Sequence, residues 1–136
     1  MSRKAVMNRR GAMGLGLAAA SVLVAGTGSS AEAAAKGVKI SVLYGAPKDP
    51  AAFEKYYADH HMPMVYAMKG IKRVELAKCL PNRDGKPPTS YRITELYFSS
   101  AKKMASVTGT PEFKKIVDDV PNFATGGATV LASQIE

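Results

Sequence analysis

The chain has 136 residues, a formal charge of +8, two histidines and one cysteine. That length allows one domain around one core and excludes a large multidomain enzyme. A lone cysteine excludes a disulfide within the chain, and a small buried side chain is the commoner role for Cys79 than a reactive thiol.

Arg3, Lys4, Arg9 and Arg10 precede a stretch without charges from Gly11 to Ala31. Ala31-Glu32-Ala33 and Ala33-Ala34-Ala35 are both small-x-small exits, completing the pattern of a secretory signal peptide. The Arg9-Arg10 pair and the weakly hydrophobic Gly/Ala core lean toward the twin-arginine type, although Gly11-Ala12-Met13 departs from its usual bulky residues. An uncleaved anchor is the alternative, but the run is barely long enough to span a bilayer and is rich in glycine. The expectation is a leader over residues 1–35 and a bacterial domain over 36–136, exported to the periplasm or beyond, with no stable membrane association after cleavage. Removing the leader's four bases and one acid leaves a net charge of +5. With no run of Lys or Arg and no bases interleaved with aromatics, that charge reads as solvated surface and not as a nucleic-acid site.

Val38, Ile40, Val42 and Tyr44 alternate with Lys39, Ser41 and Leu43, the pattern of a strand with one buried face. Asp49-Pro50 then opens a helix as N-cap and first helical residue, and Lys69-Gly70 closes it. Phe53, Tyr57, His61 and Val65 recur every four residues on one face, with Tyr56, His60, Met64 and Met68 as the neighbouring stripe. Pro63 removes an amide donor and biases Met62 away from helical angles, which predicts a kink just after the histidines.

Val74, Leu76 and Leu80 mark a second strand, the turn-rich Pro81–Pro88 a connection, and Tyr91 to Phe98 a third strand with two partly apolar faces. A short helix capped by Ser99 or Ser100 runs through Val107. Thr110-Pro111-Glu112 starts another, with Phe113, Ile116, Val117 and Val120 on one face and Lys114, Lys115, Asp118 and Asp119 largely outside. Pro121 stops it, and Gly126-Gly127 leads into a last strand, Ala128 to Ser133. The order predicts an α+β, ferredoxin-like βαββαβ plan: a four-stranded antiparallel sheet with helices on one face. The other face would be open, so a homodimer that pairs two sheets face to face is expected.

The segment FEKYYADHHMP resembles the Phe-x-x-aromatic-aromatic-x-x-x-His-x-Pro pattern of the EthD family of dimeric α/β-barrel proteins, through Phe53, Tyr56, Tyr57, His61 and Pro63. DVPNFATGG is similar to that family's C-terminal segment, through Asp119, Asn122, Phe123, Gly126 and Gly127. The resemblance covers residues 38–133. It implies the dimeric barrel and an association with oxidative degradation of organic compounds. The same barrel also carries cofactor-free monooxygenases, haem-handling enzymes and lactone isomerases, so it does not fix the reaction.

Helical neighbours point about 100° apart, so Asp59-His60-His61 is not a chelating spacing and no metal is expected. No dinucleotide or phosphate-loop fingerprint is present, and no cofactor is expected. His61 is therefore the candidate proton carrier, since imidazole titrates near neutrality. The alternative is that it hydrogen-bonds carbonyls freed by Pro63. Tyr57, Tyr44, Tyr97 and Glu95 are the candidate contacts for a small organic ligand. Glu95 is expected as a buried carboxylate near the cavity, or, more commonly for such a residue, as half of an edge ion pair. The leading expectation is a cofactor-independent oxidation, reduction or isomerisation. A non-catalytic binding protein on the same scaffold is the second reading, and a haem protein using His60 or His61 as axial ligand is a third.

Overall fold

Tyr44, Phe53 and Phe98 are the largest fully buried side chains, and the elements are arranged to enclose them. The structure, a computed structural model, describes residues 36–136; the leader assigned to residues 1–35 lies outside the described residues. Strands β1 (Val38–Tyr44), β2 (Arg73–Lys78), β3 (Arg92–Phe98) and β4 (Ala128–Gln134) form one sheet in the order β2-β3-β1-β4. Every neighbouring pair is antiparallel. Helices α1 (Pro50–Tyr56), α2 (Met62–Ala67), α3 (Ala101–Thr108) and α4 (Pro111–Asp119) complete the ferredoxin-like plan.

Register decides which side chains face the helices. Ile40 pairs with Leu96, Val42 with Thr94 and Tyr44 with Arg92, so these share a face, and β3 alternates buried and half-buried along its length. Lys39, Ser41 and Leu43 pair with Tyr97, Glu95 and Ile93 on the opposite face. β4 is exposed at all seven positions. Its apolar Val130 and Leu131 are 63% and 51% exposed, without cover among the described residues.

The helix from Asp49 differs from the expected kink. Asp49 Oδ1 accepts from the Ala52 amide as N-cap. Residues 50–67 then remain helical throughout, but Tyr57–His61 form a π turn in which the Met62 amide donates to the Tyr57 carbonyl. Met62 keeps helical angles (φ −63°, ψ −34°). Pro63 cannot donate to the carbonyl four residues back, and the chain meets this by widening the preceding turn. A spacing of four drifts about 40° per step around an α-helix, and the wider turn takes back part of that drift. Phe53, Tyr57, His61 and Val65 consequently all stay inside, at 2–3% exposure. Gly70 follows with φ +96°, and a Cβ there would stand 2.6 Å from a Val107 methyl carbon, so only glycine fits.

Two further boundaries differ from expectation. β2 ends at Lys78, and Leu80 is 80% exposed because Pro81 and the turn-rich loop begin there. β3 begins at Arg92; Tyr91 precedes it and turns its hydroxyl to Glu54. Of the two expected caps for α3, Ser100 is the one that accepts from the Lys103 amide.

Candidate functional site

The core is aromatic. Phe53, Tyr57 and His61 form a column of near-parallel rings, with centroids 5.5 and 6.0 Å apart. Tyr44 closes it edge-on from β1, 5.6 Å from Phe53 and 5.9 Å from Tyr57. Phe123 lies 4.6 Å from the His61 ring. Its position is fixed by a close backbone approach: a Cβ on Gly45 would sit 2.2 Å from the Gly126 carbonyl oxygen, so the loop before β4 locks against the end of β1.

His61 is 3% exposed, and its Nδ1 lies 2.9 Å from Asp119 Oδ2. An ionised carboxylate can only accept, so Nδ1 carries the proton. The structure thus replaces the expectation that the imidazole satisfies carbonyls freed at Pro63: the π turn deals with the backbone, and the ring goes to an acid from the other end of the domain. Burial pulls His61 below its ordinary 6.5, and the opposing hydrogen bond and charge of Asp119 do not outweigh it. Burial pushes the Asp119 carboxyl up, but hydrogen bonds from Tyr56, His61 and Asn122 hold it below its ordinary value. At neutral pH the pair is a neutral imidazole donating to a carboxylate, with Nε2 left as the basic nitrogen. Among the described residues Nε2 makes no hydrogen bond.

Asp119 also accepts from the Tyr56 hydroxyl at 2.6 Å and from the Asn122 amide at 3.1 Å, both at Oδ1. The α4 periodicity places Asp119 outside; the chain turns it inward as α4 gives way to the short turn Val120–Asn122. Tyr56 and Asn122 line a cavity of about 200 Å³ together with Ala52, Phe53 and Phe123. The Asp119 hydrogen bond holds the Tyr56 phenol protonated beyond its ordinary range. A continuous chain, Tyr56–Asp119–His61, therefore joins the cavity wall to the buried imidazole.

The five residues singled out from sequence separate into two groups. His61, Tyr57 and Tyr44 lie on the helix side of the sheet. Tyr57 shares a 2.5 Å hydrogen bond with Thr94 and lies under the Arg92 guanidinium at 4.7 Å. Burial raises the hydroxyl pKa values of both Tyr44 and Tyr57. Glu95 and Tyr97 lie on the open face, beside a cavity of about 370 Å³ that Glu95 lines with Glu75, Ala77 and Ile93. Glu95 accepts from Lys39 at 2.7 Å, Ser41 at 3.0 Å and Tyr97 at 2.9 Å, and the Lys39 contact does most to hold its carboxyl below the ordinary value. The Tyr97 hydroxyl lies 3.0 Å from Glu75 as well, so its one proton is shared between two carboxylates, and its phenol is pushed up to about 12 by the Glu95 hydrogen bond first. His60 is exposed and packs its ring 4.9 Å from Tyr56. Periodicity put Tyr56 on the neighbouring stripe and Asp119 outside, the family resemblance marked both with Asn122, and neither gave them a role. The signal was that the two matching segments must meet in space.

The EthD domain family model matches residues 46–127. An uncharacterised 11.0 kDa protein of Rhodococcus erythropolis, from the thcB–thcC intergenic region, is 37% identical over 98 residues, spanning 72% of this chain and 94% of its own. The crystal structure of an EthD family protein from Bacillus halodurans is 23% identical, with a TM-score of 0.69 over 74% of this chain and 99% of that one. SnoaB, a cofactor-independent oxygenase of Streptomyces nogalater, shares the fold at 16% identity and a TM-score of 0.51, over 75% of this chain and 97% of its own. The match across most of residues 36–136, and the identity to the Rhodococcus protein, establish that this chain belongs to the EthD domain family.

Proposed function

We propose that this chain is an exported, homodimeric EthD protein that binds a small organic molecule and acts on it by proton transfer without a cofactor, as an oxidoreductase or isomerase of organic-compound degradation. The observation that carries the reading is the buried His61–Asp119 pair, extended by Tyr56 to a cavity wall. A neutral imidazole whose Nδ1 proton is held by a carboxylate is oriented, and being neutral at pH 7 it keeps Nε2 able to accept a proton. The fold of SnoaB shows that cofactor-independent chemistry has a home on this scaffold. Tyr57, stacked on His61, is the residue that sets the ring's plane. Glu95 and Tyr97 belong to the open face, where a partner's sheet would enclose them beside the larger cavity, and Tyr44 supports the aromatic column from behind.

The second reading is a non-catalytic binding protein on the same scaffold, favoured by the near-complete enclosure of His61. One experiment separates them. The full chain is produced in a bacterial host, purified from the exported fraction, and its bound small molecules are identified by native mass spectrometry. His61→Ala should abolish turnover of the ligand so found while the dimer persists, and His60→Ala should leave it within about twofold. Retained turnover in His61→Ala would overturn the proton-transfer reading, and absence of the protein from the exported fraction would overturn the localisation.

A further inference from the structure

The cavity beside α1 has a size and a hydrogen-bonding edge that bear on what it can hold. Its volume is about 200 Å³. A volume of about 150 Å³ holds benzene, so this solvent-open cavity has room for a single ring with one or two small substituents. Phe53 and Phe123, their rings 5.2 Å apart and steeply inclined, form its apolar floor, each almost fully buried beneath it. The polar edge is Lys48, Asp49, Tyr56, Asn122 and Thr125, of which Tyr56 is the one joined to Asp119.

A phenolic hydroxyl has one proton and two lone pairs. Tyr56 commits its proton to Asp119 at 2.6 Å. Asn122 Nδ2 lies 3.4 Å from the same oxygen, a weak donor to one lone pair. Toward a ligand Tyr56 is consequently an acceptor, and a partner for it must bring a donor. We propose that this cavity binds a phenol-sized molecule, a single substituted ring carrying a hydroxyl, with Tyr56 Oη accepting that hydroxyl's hydrogen bond. The inference rests on the reading above only through the Tyr56–Asp119–His61 chain. A proton that leaves the ligand hydroxyl reaches Tyr56 Oη as Tyr56 passes its own to Asp119 Oδ1. Charge then moves from the carboxylate to the ligand oxygen, and no oxidant or reductant is needed.

Binding is measured by titrating the full-length protein with para-cresol and with its methyl ether, following backbone amide NMR shifts. Para-cresol should shift the amides of Ala52, Phe123 and Thr125 saturably in the millimolar range, and the ether should bind about tenfold more weakly. Tyr56→Phe should erase that preference. Ala52→Leu, on the exposed first turn of α1, should narrow the cavity and remove binding of both, which keeps the test available if Tyr56→Phe does not fold. Equal affinity for phenol and ether, saturable shifts confined to another surface, or no saturable shift with either would each overturn the assignment. Equal affinity would leave the proton-transfer reading of His61 standing. Conversely, turnover retained in His61→Ala would remove that reading and leave this site intact.

Discussion

His61 couples protonation to folding. Its folded pKa is pulled below the ordinary 6.5, so in the interval between those two values the unfolded chain binds more protons than the folded one. The stability it contributes is therefore fully present above about pH 6.5 and is lost as pH falls from there to the folded value. Asp119 acts in the same direction at lower pH: its carboxyl is held below the ordinary 3.8, so its contribution persists above that value and disappears as pH falls through the folded one. The melting temperature should decline on acidification from about pH 6.5. His61→Gln, which has no imidazole to protonate, should flatten that first part of the curve. A wild-type melting temperature that rises over the same interval would mean that His61 is charged in the fold. The histidine was legible in sequence because a four-residue aromatic spacing put it on the buried stripe. Its partner was not, because Asp119 sits on the polar side of its own helix by periodicity, and only the turn after α4 brings it in.

Elements hold that geometry through one further ion pair. Glu54, on α1, accepts from Arg92 Nη2 at 2.5 Å and from the Tyr91 hydroxyl at 2.8 Å, so α1 is tied to the start of β3. Burial opposes the Glu54 charge, yet the Arg92 and Tyr91 hydrogen bonds win and its carboxyl lies below the ordinary value. The Arg92 side chain is 11% exposed. Glu54→Ala would leave that guanidinium buried without its acid, which costs about 3 kcal/mol, or more than about 10 °C in melting temperature for a domain of this size. Glu54→Gln keeps an acceptor for Tyr91 and should cost less. Thermal unfolding followed by circular dichroism reads both, and an Ala variant that melts with wild type would show that α1 is held by the aromatic column alone. The strands were legible from alternation and the caps from Asp49 and Thr110, because both signals are local. The π turn was not. Proline announces a disturbance, but whether a helix breaks or widens depends on how much is buried beyond it, and here Met62 and Val65, 3% and 2% exposed, hold the rod together.

At the largest scale, the sheet of the described residues has one face covered by helices and one that no other described residue covers, with Leu131 on the latter across from Ser41. An apolar edge strand without charges is a surface that soluble proteins usually protect. The purified protein should run as a dimer at micromolar concentration by light scattering. Leu131→Arg should raise the dissociation constant by at least about tenfold. A monodisperse wild-type monomer would remove the enclosed cavity at Glu95. The helix-side chemistry does not depend on that outcome, since Tyr56, Asp119 and His61 all come from one chain. That His61 is a neutral base oriented by Asp119 is tested most directly, and without a substrate, by nitrogen NMR of the imidazole in the full-length protein. The expected spectrum shows the Nδ1-protonated tautomer with a titration midpoint below 6.5, and loss of that tautomer preference in Asp119→Asn. An Nε2-protonated ring, or a midpoint above 6.5, would contradict it.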